Sequence, residues 1–134
     1  MKDMHSNINV LVAIKPVAVG TSGAANGVTS GIIDRQGYQS LEFTYSSGTT
    51  GTTGDTITPV ILEAAATGDS FTSVADADLL GTEAAITLTA AAAKRVGYRG
   101  SKRYLKIKLY GIGTATALVA ANAILGNPDL APVA

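Results

Sequence analysis

The sequence of 134 residues predicts an all-β chain, folded as an antiparallel β-sandwich or barrel of jelly-roll-like form with an extended N-terminal arm and a C-terminal tail. Two patterns predict it. Apolar residues recur at every second position in several short runs, the period of a strand with one buried face. Those runs are separated by clusters of Gly, Asn, Asp, Ser and Thr, which accept turn conformations. Composition adds a third observation: 46% of residues are hydrophobic but only 5% are aromatic, and 15% are charged. The core must therefore be built from Val, Ile and Leu, and much of the surface must be small, weakly polar side chains suited to burial against partners.

In chain order, INVLVAI places Ile8, Val10, Val12 and Ile14 in one phase, and Lys15 and Pro16 follow at once. Residues 1–16 read as an arm or edge strand, too short in its apolar run to span a membrane and without a convincing leader-cleavage site. GTSGAANGVTSG reads as a protruding connection. In SLEFTYS, Leu41, Phe43 and Tyr45 share one face, with Ser40, Glu42 and Thr44 on the other. SSGTTGTTGD reads as a flexible hairpin tip; no GK[ST] completes a phosphate loop there, and its three-residue repeat is too brief for a solenoid.

TPVILEA gives a further strand, with Val60, Leu62 and Ala64 opposite Ile61 and Glu63, and ATGDS a turn after it. AITLTA sets Ile86, Leu88 and Ala90 against Thr87 and Thr89. RVGY reads as the end of a strand, and Gly97 and Gly100 allow a tight connection. The clearest alternation is KRYLKIKLY, with Leu105, Ile107 and Leu109 inward and Tyr104, Lys106, Lys108 and Tyr110 outward. TATALVAANAIL, residues 114–125, carries small apolar residues on both faces and reads as a doubly buried strand in preference to a helix. The chain is thus one domain, with a β core over 17–125 and a tail over 126–134 stiffened by Pro128 and Pro132.

Ten basic residues balance ten acidic ones, so the overall field gives no reason to expect nucleic acid or an anionic membrane as a partner. The basic charge is nevertheless concentrated: Lys94, Arg95, Arg99, Lys102, Arg103, Lys106 and Lys108 lie together without an intervening acid. Asp55, Glu63, Asp69, Asp76, Asp78 and Glu83 occupy a stretch, residues 36–93, that has no base. If the fold keeps the two signs on separate surfaces, one copy's basic face meets an acidic face on a neighbour. The contact candidates are Arg95, Arg99, Lys102, Arg103, Lys106 and Lys108, with Tyr98 and Tyr104 as aromatic anchors.

No catalytic or metal set is expected, and no cofactor. His5 is the single histidine, with Asp3 its nearest carboxylate, whereas a metal site needs several converging ligands and a triad needs a nucleophile. Asp76 and Asp78 lack the ladder, central Gly and closing Glu of a calcium loop, and read as turn-capping acids. Cysteine is absent, so neither disulfides nor thiolate ligation arises.

Four blocks, MKDMHSNI, SFTSVADADLLGT, RVGYRGSKRYLKIKL and GNPDLAPVA, resemble in that order a family of small proteins common in tailed-bacteriophage genomes. Its recurring patterns are K-D-x-x-S-N-I, S-x-F-T-x-V-x-x-x-D-L-x-G, R-V-G-Y-x-G-x-K-R-Y and G-x-P-x-x-A-P. The chain departs from them at the tail, where Gly126, Asn127, Pro128 and Asp129 replace a basic or histidine-containing motif, and in its threonine-rich loop. The resemblance implies a non-enzymatic virion structural protein encoded near the capsid genes, a head decoration or cement protein. Such a protein is made in the host cytoplasm and sits on the capsid surface, with the major capsid protein and further copies of itself as partners, a trimer in preference to a dimer. A neck or tail structural protein and a carbohydrate-binding sandwich using Tyr38, Tyr45, Tyr98, Tyr104 or Tyr110 are the alternatives.

Overall fold

Alternation decides the architecture, and the strand Tyr104–Ile112 shows how. Leu105, Ile107 and Leu109 are completely buried, while Tyr104, Lys106, Lys108 and Tyr110 stand half-buried on the opposite face. A strand with one such face needs a second layer to cover it. The computed structural model, which describes residues 3–20, 23–50, 52–114 and 116–130, supplies that layer as a second antiparallel sheet.

Among the described residues eleven strands form, in chain order: β1 (Ile8–Val19), β2 (Val28–Thr29), β3 (Ile33–Asp34), β4 (Tyr38–Ser47), β5 (Thr56–Ala64), β6 (Thr72–Ser73), β7 (Leu79–Leu80), β8 (Ile86–Thr87), β9 (Ala92–Tyr98), β10 (Tyr104–Ile112) and β11 (Ala117–Pro128). One sheet runs β1-β11-β4-β9-β7 and the other β2-β10-β5-β6, with β3 also on β10 and β8 also on β5. The pairings are nested: β1 with β11, β2 with β10, β4 with β9, β5 with β6. One long hairpin rolled over on itself produces this order, which is the jelly roll, and it carries the chain alternately between the two sheets. No helix of the described residues is long and apolar enough to cross a membrane.

The core lies between the sheets. Leu41, Phe43 and Tyr45 of β4 and Val119, Ala121, Ala123 and Leu125 of β11 meet Ile57 and Ile61 of β5 and the three apolar residues of β10. Small Ala residues on β11 are matched by the large Phe43 and Tyr45 beside them, with Ala123 paired to Phe43 and Ala121 to Tyr45.

Two sequence expectations are corrected here. Ile8, Val10, Val12 and Ile14 do not share a face: Val10 and Val12 point to solvent, whereas Ile14 is buried. The register against β11 shifts between Val12 and Ile14 and again before Val17, and a bulge moves the following side chains to the opposite face. The strand itself is the edge strand that the sequence offered beside an arm, since Ile8 to Val19 pairs with β11 of its own chain at the margin of the sheet. The tail also begins later than expected, because β11 continues to Pro128, which pairs with Tyr38. Pro132 and the last residues of the tail, like Thr21, Ser22 and Gly51 of the loops, fall outside the described residues.

Candidate interaction surface

The basic stretch is spread over β9 of one sheet, the β9–β10 connection and β10 of the other sheet, and is not gathered on one face. Arg95 stands on the outer side of β9 and meets Glu42 at 3.4 Å. Arg99 folds back, its backbone N–H donating to the carbonyl of Asp78 and its Nε to that of Ala77, 2.9 and 2.7 Å away, so it secures the Asp76–Asp78 turn. Lys102 and Arg103 sit in the β9–β10 connection, where Arg103 grips Asp34 through two hydrogen bonds of 2.7 and 2.6 Å. That grip holds the Asp34 carboxyl below its ordinary value. The guanidinium also lies 4.9 Å from the centre of the Tyr104 ring.

Tyr98 leaves the surface set altogether. It is 2% exposed, its hydroxyl donates to the Glu63 carboxylate, and it accepts the Lys102 backbone N–H at 2.9 Å. Burial, with the Glu63 carboxylate beside it, pushes its phenol up to about 12. Arg35 lies over the ring at 5.2 Å while donating to the carbonyls of Lys102 and Gly100. The Tyr98 hydroxyl occupies the space a side chain on Gly100 would need, since a Cβ there would fall 2.4 Å from it. R-V-G-Y-x-G-x-K-R-Y is thus the recipe for a loop built around a buried tyrosine.

The other blocks have structural roles of the same kind. In MKDMHSNI the Asp3 carboxylate accepts the His5 N–H at 2.9 Å and the Ser6 hydroxyl, and the Asn7 side chain donates to the Asp3 carbonyl. The Ser6 bond is the chief reason the Asp3 carboxyl is lowered. The motif is a self-bonded turn leading into β1, and His5 contributes to it through its backbone. In GNPDLAPVA, Asn127 takes a positive φ of 50°, Asp129 N–H donates to the Gly37 carbonyl at 2.8 Å and the Asp129 carboxylate accepts from Gln39.

Three of the acids are committed inside the molecule, so the two signs of charge do not map to two faces. Asp55 is buried and accepts the Thr114 N–H at 2.8 Å; Glu63 accepts from Tyr98; Glu83 accepts the Ile61 N–H. Asp69 and Asp76 remain exposed.

What the fold does assemble is the outer face of β10. Tyr104, Lys106, Lys108 and Tyr110 stand in a row beside Leu62, Val60 and Thr58 of β5. The Lys106 ammonium sits 4.1 Å from the centre of the Phe71 ring. Among the described residues the ion pairs are Arg95–Glu42 and Arg103–Asp34, which leave Lys106 and Lys108 without a carboxylate partner. Of the tyrosines considered for a sugar platform, Tyr45 and Tyr98 are buried, and Tyr38, Tyr104 and Tyr110 are half-buried. Phe71 is the member of this surface that alternation did not reveal, because it lies on a loop outside any periodic run.

On the opposite sheet a shallow cleft of about 340 Å³ crosses β11, β4 and β9 between Met4 and Leu80, floored in part by Gly97 and Gly126. The groups facing it are a mixture of apolar side chains with Asn7, Ser40, Glu42 and Asn127.

No family model matches the chain, and no curated protein matches its sequence. Solved structures do share the fold. The chain is similar to the PBSX exported protein XepA, with a TM-score of 0.60 and 12% identity over 91% of this chain and 38% of that one. It is also similar to a chain in the structure of infectious bursal disease virus Gx strain, with a TM-score of 0.50 and 12% identity over 93% of this chain and 35% of that one. The chain therefore spans little more than a third of the length of either neighbour, and at this identity the likeness is one of fold.

Proposed function

We propose that the protein is a non-enzymatic structural component of a bacteriophage virion, a decoration or cement protein that binds the outside of the capsid and stabilises the shell through repeated contacts. The observation that carries the reading is the un-neutralised Tyr104–Lys106–Lys108–Tyr110 row on a rigid jelly-roll sheet. Two ammonium groups held in register between aromatic rings suit an acidic, partly apolar protein surface. Support also comes from the four phage-like sequence blocks and from a fold shared with a chain of a virus structure. Placed at many symmetry-related positions, modest contacts of this kind add up to stable retention. The partners in this reading are the major capsid protein and further copies of the chain, with no cofactor, nucleic acid or membrane.

Quantifying the chain in purified particles tests the reading. Hundreds of copies per virion support decoration; about a dozen or fewer place it at the neck or tail, where a single symmetry axis fixes the number; and none overturns a virion role. Adding Lys106→Glu/Lys108→Glu protein to shells that lack the chain then tests the face, with loss of shell binding expected from a protein that still folds.

A further inference from the structure

A β-sheet edge offers unpaired N–H and C=O groups to any strand that can reach it, and folded proteins ordinarily blunt such edges. The edges of this sandwich are blunted in every way but one. β2, β3, β6, β7 and β8 are two residues each. Between β8 and β6 the outer side of β5 is closed by Pro59, which has no N–H, and by Glu83, whose carboxylate takes the Ile61 N–H. The part of β9 that β7 leaves uncovered carries Lys94 and Arg95.

β1 has none of these devices over its first half. Among the described residues it pairs on one side only, with β11, and its register is unbroken from Ile8 to Val12. From Ile8 to Ile14 it contains no charge, Pro or Gly; Lys15 and Pro16 come after the first register shift. Val10 and Val12 are 55% and 62% exposed, and Val10 lies beside Ile124 of β11, so the edge runs into an apolar strip on the outer face.

We infer that the Ile8–Val12 edge of β1 is the docking edge for a second copy of this chain, joined antiparallel about a two-fold axis into one continuous sheet. The sequence is self-complementary in that arrangement. With Val10 on the axis, Val10 faces Val10 of the second copy, Ile8 faces its Val12, and Asn9 faces its Leu11. β-branched residues oppose each other and no like charges meet. The two-fold closes the pair, so the contact does not propagate into fibres as an uncharged edge otherwise would. It also brings the Val10–Ile124 strips of the two copies side by side. The product is a dimer, in place of the trimer expected from the sequence. The inference rests on the homo-oligomer in the proposed function, and it can fail without that reading failing.

Sedimentation of the isolated chain at micromolar concentration tests it. The wild type should run at twice the chain mass. Val10→Lys, which sets two ammonium groups together on the axis, and Val12→Lys should run at the chain mass while keeping a cooperative thermal melt. Leu118→Lys should remain a dimer: Leu118 is 66% exposed on the same face but belongs to β11, which has neighbours on both sides. Amide exchange at Ile8–Val12 should be slow in the wild type and fast in Val10→Lys. A monomeric wild type, a Val10→Lys protein that stays dimeric, or a Leu118→Lys protein that dissociates as readily would overturn the inference. Detection in virions is a separate measurement, so absence from particles sinks the virion role and leaves the sedimentation result standing.

Discussion

Tyr98 and Glu63 tie the two sheets together: the phenol of Tyr98, on β9, donates to the carboxylate of Glu63, on β5. The same hydroxyl accepts the Lys102 N–H, so one oxygen fixes the sheet-to-sheet contact and the path of the β9–β10 connection. Tyr98→Phe keeps the ring and removes both bonds. It should lower unfolding free energy by about 1–2 kcal/mol in urea titrations, with an unchanged slope against denaturant.

Two tyrosines titrate abnormally, and they set an alkaline limit. Burial raises both Tyr45 and Tyr98 from 10.0 to about 12, with Glu83 near Tyr45 and Glu63 near Tyr98 adding to the effect. In the unfolded chain each phenol loses its proton near pH 10, while the folded protein retains it until about 12. Stability contributed by these groups is complete below pH 10 and is lost as pH rises toward 12. Denaturation midpoints measured from pH 8 to 12 should hold steady and then fall across that window, and Tyr98→Phe should flatten part of the fall.

Glu83 offers a contrast between charge and acceptor. Burial raises its carboxyl above the ordinary value, Asp76 adds to the rise and the Ile61 N–H opposes it. A raised carboxyl makes the folded state gain relative stability as pH falls toward its titration. Glu83→Gln keeps an oxygen for the Ile61 N–H and discards the disfavoured charge, so its thermal midpoint at pH 7 should equal or exceed the wild type's. Glu83→Ala strands the Ile61 N–H and should cost about 1–3 kcal/mol.

Gly113 has φ +127°, and a Cβ there would lie 1.9 Å from Asp55 Oδ1. The neighbouring Thr114 N–H is the group that Asp55 binds, so the carboxylate cannot withdraw without losing a bond inside the fold. Gly113→Ala should destabilise by at least about 1–3 kcal/mol from backbone strain alone, read as a lowered midpoint in chemical denaturation.

The sandwich was legible because β4 and β10 announce themselves: Leu41–Tyr45 and Leu105–Leu109 alternate large apolar residues with polar ones, and the buried faces are those the alternation assigned. β11 was legible as a strand but is not buried on both faces as expected: Ala117, Val119, Ala121, Ala123 and Leu125 face the core, whereas the outer face is half-buried to exposed, with Leu118 66% exposed. β9 was seen only at its end. Ala92–Arg95 has no apolar alternation, and what makes it a strand is pairing to β4, a contact distant in sequence. The two-residue strands are too short to carry a period. Of the contact candidates, Lys106, Lys108 and Tyr104 stand where alternation put them, on the outer face of β10. Tyr98 does not, because nothing local marks a ring whose hydroxyl finds a carboxylate on the other sheet.

Nested pairing also sets a timetable for synthesis. β11 follows every other strand in the chain, yet its place is between β1 and β4. Until Ala117–Pro128 emerges from the ribosome, the first strand made has nothing to hydrogen-bond to, and its uncharged residues wait in water for a partner more than a hundred positions downstream. The sheet can zip shut only after β11 has been made, a pairing across long sequence separation of the kind that folds slowly.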